Sequence, residues 1–388
     1  MSHREIFFSI LEGAGPTSMP FVPDLTDWYA YHRTEPGRMP EYCPGALIPD
    51  ASSIHECPGT MPERFKDFTL LDFHRTFDWG FHAHVYDWCE TSYTNGVERV
   101  VENREWERLI TLRTPRGCLV HRDQRAADGS WCPCEHFVKS IEDLRILDCA
   151  IESEVYTPHY DRVESVLAEL NGLGQCDLVV YRSPFGKLVQ EYMGFEGAIY
   201  AMADEPDAVE GFLALQEARD LEVIRLAGDA PARLVIISDH ADENLIAPPM
   251  YKQHCVPYYR KATSILHEKG KFVSTHLDGN FKGHFALLQD TGFDLLDGCT
   301  PAPMSNYEVE ELAAALPDGM CAFCGVPATF FCQDIPVEQI LTFGDRIIDA
   351  LRGRGVLNVG DIVPANGNIE PVIALGEHVN CRFGKQDE

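Results

Sequence analysis

Positive charge is what this 388-residue chain lacks: 32 Lys and Arg stand against 61 Asp and Glu, a formal net charge of −29. A surface that acidic repels the phosphates of nucleic acids and of anionic membranes, so neither is expected as a partner. Long apolar runs are missing as well. The stretch from Ile6 to Leu11 is too short for a secretory core and far short of the ~20 residues that cross a bilayer. A cytoplasmic location is the expectation. No Gly-x-Gly-x-x-Gly follows an early strand and no P-loop occurs, which removes support for nucleotide-binding folds. Neither an internal repeat nor a low-complexity tract is found.

A hydrophobic share of 45% with 24% charged residues is enough for a sizeable core in an ordinary soluble protein. The 14 cysteines, in a long chain of this type, read as reduced thiols. Two close pairs, Cys132-Pro133-Cys134 and Cys321-Ala322-Phe323-Cys324, are too distant and too unlike for a four-cysteine zinc site, and buried apolar cysteine is preferred.

Residues 1–170 read as an irregular N-terminal segment and cap, rich in Pro, Trp, His and charge, that includes the first barrel elements; residues 171–388 supply the rest of one structural domain. From about residue 175, short apolar runs alternate with amphipathic stretches. The runs at 177–183, 234–240, 271–276, 293–298, 320–325 and 356–361 have strand length and β-branched or aromatic content, several without polar interruption, as in strands covered on both faces. Helical spacing follows over 205–226, 249–269 (stopped by Gly270) and 336–351. Repeated strand–helix order means a parallel sheet. Nearly every strand ends in a polar residue: Arg182 and Ser183, Asp239 and His240, His276 and Asp278, Asp297 and Cys299, Asp361. A (β/α)8 TIM barrel, with the N-terminal extension capping its mouth, brings those ends together where an open sheet does not.

Three constellations stand out. In Thr275-His276-Leu277-Asp278-Gly279, residues i and i+2 of a strand share a face, so His276 and Asp278 can meet one ion, with Asp361 as a third ligand. A histidine and two carboxylates suit zinc or a harder divalent ion; a hydrogen-bonded strand-end histidine is the plain alternative. Ser238-Asp239-His240-Ala241-Asp242-Glu243 crowds acids and a histidine at another strand end, which binds a cation, shifts a pKa or merely starts a solvated loop. Trp79, His82, His84 and Trp88 can wall a flat apolar ligand, serve as a second metal pair through the histidines, or simply pack on the barrel. Arg182 is a further substrate-binding candidate.

These residues resemble the uroporphyrinogen decarboxylase superfamily, and in particular its cobalamin-linked methyltransferase branch. The similar features are Thr111 to Gly117, Glu135 to Lys139 with Asp143-Leu144, Ser238-Asp239 with Pro248 and Pro257-Tyr258, Lys271 to Asn280, Gly325-Val326-Pro327 and Gly360 to Pro364, across roughly residues 20–380. The resemblance implies zinc held by His-x-Cys and a late-strand Cys. Here His276 matches the histidine, while Asp278 and Asp361 replace the thiolates. Carboxylate ligands leave the ion more Lewis acidic and suit an oxygen-bearing substrate. The implied activity is transfer of a methyl group from a small methoxylated compound, an aromatic ether being one option, to the Co(I) corrinoid of a separate protein, since no Asp-x-His-x-x-Gly cobalamin motif occurs. Asp239, Glu243 or His240 would orient or protonate the leaving oxygen, and a homodimer is left open. Arg33 and Gly37-Arg38-Met39-Pro40-Glu41-Tyr42 resemble instead the decarboxylase branch, which would act on an acidic ring compound without metal. A non-catalytic ligand- or corrinoid-protein-binding barrel is the third reading.

Overall fold

The computed structural model describes residues 1–14, 18–34, 59–126 and 131–383; the Gly37–Tyr42 motif lies outside the described residues. Thirteen strands occur among them: β1 Phe81–Val85, β2 Cys89–Tyr93, β3 Glu98–Asn103, β4 Glu107–Thr114, β5 Gly117–Arg125, β6 Trp131–Glu135, β7 Glu154–Pro158, β8 Gly174–Tyr181, β9 Leu234–Ser238, β10 Phe272–His276, β11 Leu295–Cys299, β12 Cys321–Val326 and β13 Gly355–Val359. Seven of them form a curled, wholly parallel sheet in the order β1-β8-β9-β10-β11-β12-β13.

The gap between β13 and β1 is filled by three residues. Phe21 makes an isolated parallel bridge to Leu357. Val22 N–H donates to Leu357 O (2.8 Å) and Leu357 N–H to Pro20 O (2.9 Å), while on the other side Gly80 N–H donates to Phe21 O (3.0 Å). Pro20–Val22 therefore occupies the eighth position of the barrel, giving up one donor at Pro20, which can only accept.

All six strands read from apolar runs are present, buried along almost their whole length. The helices between them, Pro206–Asp229, Val256–Glu268 and Val337–Ala350, cover the outside. A first helix, His3–Leu11, starts on a Ser2–Glu5 capping box and buries Phe7, Phe8, Ile10 and Leu11. These four meet Leu234, Leu295, Cys321 and Val356, which stand at the N-terminal ends of their strands, so this helix seals the barrel floor, the end opposite the mouth. Among the described residues, no helix is long and apolar enough to cross a membrane.

The irregular reading of residues 1–170 does not hold. Between β1 and β8 lie an antiparallel pair, β2 with β7, and an antiparallel four-stranded sheet, β3-β4-β5-β6. Their sequences hide the strands because cross-strand ion pairs stand in place of apolar alternation: Arg108 Nη2 lies 2.7 Å from Asp123, Arg122 pairs with Glu107 and Glu135, and β3 is exposed almost throughout.

Trp79, read as part of a substrate wall, is fully buried just before β1, at the floor end, where it packs edge-on to Phe21 and stacks on Phe77. Beside it His74 donates from Nδ1 to Gly80 O (2.7 Å) with its other nitrogen unpartnered. Burial pushes the His74 imidazole down to about 3, against the pull of that carbonyl. The folded-state value is depressed, so below the ordinary value near 6.5 the unfolded chain takes up a proton that the folded chain refuses. Stability is full above that point and falls as pH drops toward 3. Between pH 7 and 5 His74 should cost the wild type about 2 kcal/mol. Urea denaturation at both pH values should show this part of the loss removed in His74→Gln, whose amide still donates to Gly80 O; an equal loss in both proteins would contradict it.

Candidate functional site

β10 ends on His276, whose cross-strand neighbour in the β10–β11 register is Asp297. His276 Nδ1 lies 2.8 Å from Asp297 Oδ2, and His276 Nε2 lies 3.6 Å from Asp361 Oδ2, just past β13. The buried carboxylate of Asp297 fixes Nδ1 as the protonated nitrogen and leaves Nε2 toward Asp361. On the other side the His240 ring stands edge-on to His276 at 4.5 Å, and His240 Nδ1 reaches Asp278 Oδ1 at 3.4 Å. His240 has a φ of 46°, left-handed backbone that a β-carbon normally disfavours, and such strain concentrates at functional sites.

The predicted ligand trio is thus split between two overlapping groups that share His276. In one, His240, His276 and Asp278 bring donor atoms within 4.8 Å of one another; in the other, His276, Asp297 and Asp361 do so. No cysteine belongs to such a group among the described residues. Cys132 and Cys134 are exposed and unbridged, and Cys321 and Cys324 are buried in β12.

Charge is crowded here. Burial opposes the His276 imidazolium, yet Asp361, Asp297 and Asp278 outweigh it and raise the group to about 9. His240 and His276 hold Asp278 below the usual carboxylate range against burial. Burial raises Asp361; His276 opposes this, and the like charges of Asp297, Asp278 and Asp24 add to it. Three carboxylates around one imidazole, one of them pushed toward protonation, form a donor set that a divalent cation would neutralise. The residues present therefore fit a metal ion with nitrogen and oxygen ligands.

The backbone makes room for this. At Gly298, with a φ of 76°, an added β-carbon would stand 2.6 Å from His276 Cε1, so the ring lies directly on the β11 backbone.

The other candidates fall in different places. Asp239 is fully buried outside the strand ring, bonded to Tyr259 Oη, with its second oxygen unpartnered. Glu243 clamps loops: Oε2 accepts from Gly283 N–H and Oε1 from Asn306 Nδ2 (2.7 Å). His82 and His84 point into the barrel, where both grip the fully buried Asp177: His82 Nε2 to Oδ2 at 2.9 Å, His84 Nδ1 to Oδ1 at 2.9 Å. Burial opposes the His84 imidazolium, but Asp177 dominates and raises it to about 10. Trp88 and Arg182 line a separate cavity of about 670 Å³ between the β3–β6 sheet and the C-terminal end of β8. There Trp88 Nε1 donates to Val179 O (2.9 Å) and Arg182 pairs with Glu191 (3.1 Å).

Asp297 and Asp177 were not assigned as site residues from sequence. Each is an acid inside an otherwise apolar run, and each turns out to be the cross-strand neighbour of a histidine. That interruption of a buried strand was the available signal.

Residues 134–373 match the sequence profile of the uroporphyrinogen decarboxylase (URO-D) family. No curated protein matches the sequence. Among solved structures, a methyltransferase from Methanosarcina mazei is similar over 99% of both chains, with 12% identity and a TM-score of 0.62. A B12-independent methionine synthase from Shewanella sp. W3-18-1 is similar over 94% of this chain and 97% of its own, with 8% identity and a TM-score of 0.49. At these identities the likeness concerns the fold alone.

Proposed function

This chain belongs to the uroporphyrinogen decarboxylase family, and from that premise we propose that it is the methyltransferase component of a corrinoid-dependent system, acting on a small methoxylated compound. The observation that carries this reading is the His276 cluster: an imidazole oriented by a buried carboxylate, with two more carboxylates within reach at the barrel mouth. His276, Asp278 and Asp361 would hold the metal, zinc being the first choice for three protein ligands with an open position. When bound, the metal supplies Lewis acidity toward an ether oxygen. Asp297 keeps the His276 ring in one tautomer and one orientation. His240, against both Asp278 and the His276 ring, replaces Asp239 and Glu243 as the group that hands a proton to the departing oxygen, because Asp239 is walled in and both oxygens of Glu243 are engaged. The carbon–oxygen bond breaks, the oxygen takes the proton, and the methyl group passes to the Co(I) of a corrinoid on a separate protein.

A porphyrinogen decarboxylase uses positive charge to seat several carboxylates, and the acidic mouth opposes that. Purified protein, loaded with zinc and mixed with cob(I)alamin and a panel of methoxylated donors, should give a methylated corrinoid by its visible spectrum, with no carbon dioxide released. Carbon dioxide from an acidic ring compound, with Asp361→Ala tolerated, would favour decarboxylation. Donor binding without turnover would favour a binding barrel.

A further inference from the structure

Below the mouth, inside the strand ring, lies a void of about 20 Å³ whose wall includes His82, His84, Asp24, Asp297, Asn358 and Asp361. We propose that this void is a second cation site, taking one divalent ion of the zinc, manganese or iron class through His82 and His84, which Asp177 grips from behind, with carboxylate help from Asp297 and Asp361.

The size decides against an organic ligand: about one water-sized sphere needs ~10–15 Å³, so the space admits a single ion or water. The donors decide for a cation. His82, His84 and Asp177 bring donor atoms within 4.8 Å of one another, and Asp297 and Asp361 do the same with His276. Both groups contribute to the wall of the one void. Asp24, Asp177, Asp297 and Asp361 have no lysine or arginine ion pair among the described residues. Asp177 and Asp297 are buried, and crowding them with the half-buried Asp24 and Asp361, with histidines as the sole ion-pair partners among the described residues, is costly unless a cation joins them.

A second, independent observation points the same way. The His82 side chain is only 5% exposed, and its Nδ1 has no partner. His82 and His84 also sit two residues apart on β1 with their rings 4.7 Å apart, facing one side of the strand. Mixed imidazole and carboxylate donors suit zinc, manganese or ferrous iron better than magnesium or calcium. Asn358 completes the frame without being a ligand: its Oδ1 accepts from Asp24 N–H (3.2 Å) and Val359 N–H (2.7 Å), and its Nδ2 donates to Asp361 O (2.9 Å).

The test is metal content per chain after loading with Mn²⁺ alone and desalting, on wild type, His84→Gln and Asp278→Asn. The expected result is two ions in wild type and one in each variant. A wild-type count that His84→Gln leaves unchanged overturns the proposal. Should one ion be found that His84→Gln removes and Asp278→Asn does not touch, the interior site stands and the mouth reading falls, so the two fail separately. Wild-type crystals soaked in Mn²⁺ give a second measurement free of any folding defect: an anomalous peak in the void beside His82 and His84 supports the site, and a peak confined to His276 and Asp278 overturns it.

Discussion

Asp297→Asn should lower methyl transfer roughly 10²-fold and weaken metal retention 10- to 100-fold while leaving the barrel folded. The reason is the 2.8 Å contact between Asp297 Oδ2 and His276 Nδ1. As a carboxylate, Asp297 only accepts, so Nδ1 keeps its proton and Nε2, which faces Asp361, is the nitrogen that gives up its proton to a metal. An asparagine can present its NH2 instead. That turns Nδ1 into the acceptor and moves the proton to Nε2, the atom required for a ligand. The substitution is nearly isosteric, so the circular dichroism spectrum should match wild type. Metal content and kcat/KM measured on the same preparation check it. Equal metal content and kcat/KM in the variant would remove Asp297 from the positioning of His276.

Gly298→Ala should have an effect of similar size on transfer, from outside the ligand set. The added methyl would stand 2.6 Å from His276 Cε1, well inside contact distance, and the position has a φ of 76°. Two costs follow. A β-carbon in left-handed backbone costs about 1–2 kcal/mol, seen as a lowered midpoint of denaturation. The His276 ring must also turn away from the β11 backbone, and an imidazole displaced by even about 1 Å loses its alignment, worth ~10²-fold in rate. Thermal melts paired with steady-state kinetics separate the two: the fall in rate at 25 °C should far exceed any fall in folded fraction. A variant that is destabilised yet fully active would show that the ring does not depend on this glycine.

The fold was legible where burial is one-sided in chemistry. Strands β8 to β13 are covered on both faces, so Leu234 to Ile237 or Cys321 to Val326 read as strands without any alternation. β1 was harder. Phe81, Ala83 and Val85 are buried while His82 and His84 face a polar interior, so the strand alternates like the wall of a ligand site. The antiparallel insertion was invisible for a different reason: β3 carries only Val100 and Val101 among charged or polar residues, and no apolar period survives.

His276, Asp278 and Asp361 stand out in the sequence because they end or closely follow apolar strand runs, and a barrel gathers strand ends. Sequence could not say that His276 is shared between two overlapping groups, one with His240 and Asp278 and one with Asp297 and Asp361. Nor could it say that Asp239, one residue before the equally promising His240, is turned toward Tyr259. Strand-end position predicts the neighbourhood; the side on which each carboxylate falls is set by register and by loop backbone such as the left-handed His240.

The three-residue segment that completes the ring has a consequence for synthesis. Phe21 leaves the ribosome more than three hundred residues before its partner Leu357. The six strands from β8 to β13 can pair in the order they are made, each on its predecessor. Pro20–Val22, and the Phe7–Leu11 plug that rests on β9, β11, β12 and β13, have no complete seat until the final strand appears. The apolar surface of Phe7–Leu11 therefore waits exposed while the intervening strands are made. Closure is a late event across some three hundred residues of chain, the kind of long-range pairing that makes folding slow and lengthens the time a chaperone has something to hold.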